Sequence, residues 1–137
     1  MANDYGETEI EASKNKAFEL WPCEYPGTWI HLEHPEFTSI CPRSGYPDFG
    51  TIVVDYIPDK YVVELKAFKL YINSFRNERI SHENVINVIA DKIFNESNPV
   101  SLRIIGDFTR RGGVKLTATV YRGQEQSNWP EYKMNPL

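Results

Sequence analysis

The stretch from Ser101 to Tyr121 limits the possible folds of this chain more than any other. Val114, Leu116, Ala118 and Val120 alternate with Lys115, Thr117, Thr119 and Tyr121. A period of two puts the apolar set on one side of an extended strand and the polar set on the other. A second strand-like stretch, Ser101–Thr109, precedes it, and Thr109-Arg110-Arg111-Gly112-Gly113 lies between them. The whole reads as an antiparallel hairpin with two cations at its tip.

Two helical patterns lie upstream. Leu65, Phe68, Ile72 and Phe75 share one helix face, and Lys66 and Lys69 are neighbours on that helix. A second helix is expected after Ser81, a good N-cap residue, with Val85, Ile86, Ile89, Ile93 and Phe94 as its apolar face. Asn98-Pro99 ends it. Before both helices comes a β-rich run, Thr51–Ile57, closed by Pro58-Asp59. Phe18 to Asp48 is rich in proline, glycine and aromatics. It reads as a structured loop region with short extended pieces at Thr28–Leu32 and around Phe37–Ile40.

Strand, helix, helix, strand, strand is an α+β order, with two helices on one face of an antiparallel sheet. So small a sheet has exposed edges, and pairing with other subunits would cover them. Residues 1–17 read as a polar N-terminal arm and residues 18–137 as a single domain.

The net charge of −4 argues against a broad basic face for nucleic acid. It leaves room for a small anionic cofactor held by a few local cations. No apolar run is long enough to suggest a membrane span, and the first residues lack the apolar centre of a signal peptide. A cytoplasmic location follows as the expectation. There, Cys23 and Cys41 would be thiols. Zinc sites use tight paired spacings, and neither His31 with His34 nor the two cysteines provide them, so no metal is expected. G-x-G-x-x-G is absent as well, so any nicotinamide cofactor must bind outside a Rossmann fold.

Three clusters could carry chemistry. In Cys41-Pro-Arg-Ser-Gly-Tyr-Pro-Asp48 a thiol and a carboxyl flank a turn and can face one pocket. Adding a thiol to a carbon–nitrogen multiple bond needs a thiolate at carbon and a proton at nitrogen. Burial of Asp48 among Phe37, Tyr46 and Phe49 would let it act as the acid. Spacing alone also allows a packing cysteine and a turn aspartate. Lys66 and Lys69, near a helix beginning, could hold phosphate or simply face water. Glu83, after His82, could accept two hydrogen bonds from a guanine-like edge or serve as the acidic first turn of a helix.

Taken in order, these segments resemble the NADPH-dependent 7-cyano-7-deazaguanine reductases, the QueF family, in short single-domain form. The resemblance rests on Cys41-Pro-x-x-Gly-x-Pro-Asp48-Phe49, Glu64-Leu-Lys66-Ala-Phe-Lys69-Leu-Tyr71, Phe75-Arg76-Asn77 with His82-Glu83, and Phe108-Thr109-Arg110-Arg111-Gly112-Gly113. Arg110 stands where the family pattern leads one to expect proline. The resemblance implies a tunnelling fold, in which small antiparallel sheets from several subunits join into a barrel with active sites at subunit interfaces. It implies reduction of the cyano base to its aminomethyl form with two NADPH, on the route to queuosine in tRNA, acting on the free base. Carried over by position, Cys41 forms a thioimide with the nitrile and Asp48 donates the proton. Val63, Glu64, Leu65, His82 and Glu83 bind the base, and Leu65, Lys66, Lys69, Arg111 and Gly112 contact NADPH. The alternatives are a tunnelling-fold amidinotransferase that uses the same cysteine–aspartate pair with ammonia, or a purine- or pterin-binding relative.

Overall fold

A computed structural model describes residues 14–137. Of the polar arm expected over residues 1–17, residues 1–13 lie outside that range. Its end is held in place: Lys92 Nζ donates to the Lys16 carbonyl at 2.9 Å and the Phe18 N–H donates to Glu96 at 2.7 Å.

The strands are β1 (Leu20–Pro22), β2 (Ile30–Ile40), β3 (Pro47–Ile57), β4 (Tyr61–Val63), β5 (Ser101–Arg111) and β6 (Val114–Gly123). The helices are α1 (Leu65–Asn73) and α2 (His82–Ser97), both between β4 and β5. An antiparallel sheet runs in the order β2-β3-β5-β6, and β1 pairs with β4 in a separate two-stranded ribbon. The expected α+β layering, with helices packed on one face of an antiparallel sheet, is present.

The sequence reading differed most over residues 18–48. There the structure has one long strand, β2, in place of two short extended pieces in a loop region. Pro35 is tolerated because β2 is an edge strand and its register shifts between His34 and Phe37. The β1–β4 ribbon was also unforeseen, since three-residue strands leave almost no periodic signal.

Ile52, Val54, Tyr56, Leu102, Ile104 and Phe108 line the helix-facing side of the sheet. Phe68, Tyr71 and Ile72 of α1 and Val85, Ile86, Ile89 and Ile93 of α2 close over them. Ser81 caps α2 by accepting from the Asn84 N–H at 3.3 Å, and Asn98 ends it in the left-handed region at φ 47°. The approach of α2 to β5 depends on Gly106, where an added Cβ would lie 2.4 Å from Ile86 Cδ1. The β5–β6 turn is two residues long, Gly112-Gly113, both at positive φ.

The other face of the sheet is mixed, with Val53 and Ile105 buried among polar groups, and it carries the segment 129–137. Arg103 bridges Asp55 at 2.8 Å and the Pro130 carbonyl at 2.7 Å. His31 joins Asp55 at 2.6 Å to Glu33 at 2.7 Å. Burial pushes the Asp107 carboxyl up. Hydrogen bonds from the Asn135 N–H, Lys115 and Tyr132 outweigh it and hold the group below the usual carboxylate value. No helix among the described residues is long and apolar enough to cross a membrane.

Candidate active site

Cys41 begins the loop that joins β2 to β3. The Cys41 N–H donates to the Tyr46 carbonyl at 2.9 Å and the Gly45 N–H to the Cys41 carbonyl at 3.0 Å, which closes the hairpin. Gly45 sits at φ 76°, and a Cβ there would lie 3.3 Å from the Arg79 guanidinium. Ser44 folds back over the thiol: its N–H lies 3.5 Å from Cys41 Sγ, and its Oγ accepts from the Tyr46 N–H at 3.2 Å. The Ser44 side chain first, then the Ser44 and Arg43 N–H groups, lower the thiol to about 7, against burial and the Asp48 charge, which act the other way.

Asp48 is buried two residues into β3, opposite Ser39. One carboxylate oxygen pairs with Arg111 Nη1 and the other lies 3.3 Å from His82 Nε2. That nitrogen is close enough for an ion pair but makes no hydrogen bond. The His82 ring stacks on the buried Phe108 at 4.1 Å between centroids, which fixes its plane. Asp48, on β3, is thus reached from two other elements: the start of α2 and the end of β5.

An aromatic surround for Asp48 was expected, and this is corrected in part. Phe37 is buried, but Tyr46 is 68% exposed and Phe49 52% exposed. Phe49 follows Asp48 on a strand, so its side chain points to the opposite face. Tyr46 instead lies beneath the Arg111 guanidinium, 5.9 Å from its ring centroid. The carboxylate is therefore surrounded by an arginine and an imidazole.

The remaining expected site residues are spread over nearby elements. Val63 ends β4 with its side chain in the core, and its N–H donates to the Tyr56 hydroxyl at 3.1 Å. Glu64 is the N-cap of α1, accepting from the Lys66 N–H at 2.7 Å and the Ala67 N–H at 2.9 Å. Leu65 was expected on the buried helix face but is 63% exposed. It lines a shallow cleft with Lys69, Phe68 and Leu32–Glu36. Lys66 and Lys69 are exposed on α1, Glu83 is exposed in the first turn of α2, and Gly112 is exposed at the hairpin tip. Arg111 is brought to Asp48, whereas Leu65 and Lys69 lie beside the β2 bulge. Ser44 was missed by the sequence reading. Its signal was present, a hydroxyl three residues after a candidate nucleophile in a tight loop. Among the described residues no group of three or more His, Cys, Asp or Glu side chains is arranged to hold a metal ion.

Fold and site together define a small α+β domain with an activated thiol beside a clamped carboxylate. The chain belongs to the QueF-like family, whose model, described as QueF-like protein, matches residues 47–127. A relative from a Nitratiruptor species is 51% identical over 112 residues, 80% of this chain and 86% of the relative. Another, from Aquifex aeolicus, is 47% identical over 127 residues, 91% of this chain and 94% of the relative. Both are named NADPH-dependent 7-cyano-7-deazaguanine reductase. The crystal structure of the archaeosine synthase QueF-Like in the apo form matches with a TM-score of 0.69 at 24% identity, over 75% of this chain and 100% of that one, which shows a shared fold.

Proposed function

We propose that this protein is an NADPH-dependent reductase of 7-cyano-7-deazaguanine, with Cys41 as nucleophile and Asp48 as proton donor. The observation that carries the reading is the pairing of two facts. Relatives near 50% identity over most of both chains bear that name, and here a thiol lowered to about 7 shares one hairpin with a buried carboxyl group.

The Cys41 thiolate adds to the nitrile carbon, and the nitrogen takes a proton through Asp48, leaving a thioimide on Cys41. Bound NADPH would supply hydride to the thioimide carbon; the C–S bond then breaks and returns the Cys41 thiolate, and a second hydride would reduce the freed imine. Converting a cyano to an aminomethyl group takes two hydrides and two protons, so Asp48 must be recharged with protons during one turnover. Asp48 passes those protons to the nitrogen, and the His82 ring, stacked on Phe108, lies 3.3 Å from its second carboxylate oxygen. Glu83 accepts hydrogen bonds from the guanine edge, while His82, Val63, Glu64 and Leu65 complete the base site.

The donor set fits a phosphate-bearing cofactor. Lys66 and Lys69 are exposed on the first turns of α1. At Gly112 a Cβ would meet nothing within 4 Å, so the main chain there is open to close approach. Leu65, Lys66, Lys69, Arg111 and Gly112 would hold the cofactor. The working enzyme is a homo-oligomer of the tunnelling-fold type with its sites where subunits meet, acting in the reducing cytoplasm on the free base.

Mass spectrometry of the protein mixed with the cyano base alone tests the chemistry. A mass gain equal to the base is expected, and Cys41→Ala should abolish it. Two NADPH should then be consumed per base. Formation of an amidine with ammonia, without NADPH oxidation, would replace this reading with the amidinotransferase alternative.

A further inference from the structure

Arg110 ties residues 136–137 to the β5–β6 turn. The β5–β6 register shifts between Phe108 and Arg111, so the intervening main chain leaves the regular ladder. The Arg110 N–H is bonded to the Leu137 carbonyl at 2.8 Å. Its side chain adds Nε to the Pro136 carbonyl at 3.2 Å and Nη1 to the Gly113 carbonyl at 3.3 Å. One residue thus ties the end of the 129–137 segment to both sides of the hairpin tip. A proline would lack both the N–H and the guanidinium.

The segment is itself anchored on buried groups. Asp107 accepts from the Tyr132 hydroxyl at 2.5 Å and the Asn135 N–H at 2.8 Å, while Lys115 Nζ lies 2.6 Å from its other oxygen. Asn135 Oδ1 in turn accepts from the Leu137 N–H at 2.9 Å. The next residue after Arg110 is Arg111, whose guanidinium crosses Tyr46 to reach Asp48. A bulge re-aims the side chains around it, and this one is held by a strap from outside the sheet.

We propose that Arg110 is a positioning residue: by binding the Pro136–Leu137 main chain it fixes the bulge that aims Arg111 at Asp48. The strap then sets the charge balance around Cys41 without touching the reacting atoms. Arg111 neutralises a carboxylate that otherwise opposes thiolate formation. The other groups facing the pair are His82 at Asp48, Ser44 and the Arg43 N–H at the thiol, and Arg79 against Gly45. The proposal rests on Cys41 and Asp48 being the working pair.

The test is the pH profile of Cys41 alkylation by iodoacetamide in the cofactor-free protein, with the Cys23→Ser background isolating one thiol. Arg111→Ala should slow alkylation at pH 7 about fivefold, the effect of a midpoint about one unit higher. Arg110→Pro should slow it at least about twofold, and Arg110→Ala, which keeps the N–H, less. Arg111→Lys should restore most of the rate. A chain ending at Asn135 leaves the hairpin sequence intact and should behave as Arg110→Pro does, which covers the case where the proline variant fails to fold. An unchanged profile in the shortened chain overturns the proposal, as does an Arg111→Ala profile identical to the parent. Adduct formation with the cyano base is read separately. Its loss would overturn the reductase reading with the strap result standing, and the reverse outcome would overturn only the strap.

Discussion

At Cys41 one side chain and two N–H groups stabilise the thiolate, so its reactivity should follow pH in the physiological range. With a value of about 7, roughly half the thiol is ionised at pH 7, against a few per cent for an ordinary cysteine near 8.5. Alkylation should therefore rise through a midpoint near pH 7 in the Cys23→Ser background. Ser44→Ala removes the largest stabilising contact, so its midpoint should move up toward the ordinary range, and the rate at pH 7 should fall several-fold. A midpoint above 8 in the parent protein would sink this account of the loop. Cys41 and Asp48 were legible as a pair because a turn sequence separates them. The partners that govern them were not. Arg111 is sixty-three residues from Asp48 in the chain, and only the strand order β3-β5 brings the hairpin tip to β3. His82 was legible as a neighbour of Glu83, but its stacking on Phe108 depends on how α2 crosses the sheet.

That crossing has a narrow tolerance. Ile86 of α2 packs over Gly106 of β5, where a Cβ would fall 2.4 Å from Ile86 Cδ1 and 2.7 Å from Phe108 Cε2. Gly106→Ala should cost about 1–3 kcal/mol through overpacking, read as a lower urea midpoint. Because α2 begins at His82 and Phe108 carries the His82 ring, the same change should shift that ring relative to Asp48. Ile86→Val deletes the nearest clashing atom, so the double variant should recover part of the loss, with a coupling term absent if the sites were independent. The elements with strong periodicity were readable from the sequence. α2 starts after its Ser81 cap, and Leu116, Ala118 and Val120 face the core as their alternation requires. Phe18–Asp48 was harder because proline and glycine obscured β2, whose Pro35 sits at the one irregularity an edge strand permits. Leu65 misled for another reason. It fits the apolar spacing of α1 yet lies at the first position, before the helix has settled onto the sheet.

At the scale of the molecule the sheet is open at both ends. β2 protects its edge with Pro35 and a bulge, but β6 runs ten residues from Val114 to Gly123 with no proline. Val114 and Tyr121 are exposed along it. An unpaired edge of that length presents a row of free main-chain donors and acceptors and asks for another strand. In a single copy, β2 and β6 are the two ends of one sheet, so joining β6 of one copy to the part of β2 away from its bulge would be a head-to-tail contact, which forms a ring where the rotation closes. The homo-oligomer proposed above would use that edge. Sedimentation equilibrium should find one species whose mass is a multiple of 15.9 kDa, with little dissociation at micromolar protein. Because the Cys41–Asp48 hairpin joins β2 to β3, dilution that separates subunits should also lower the yield of cyano-base adduct per chain. A 15.9 kDa particle that formed the adduct in full would contradict sites built at subunit contacts. Such a particle would also require the β6 edge to be solvated in the working enzyme.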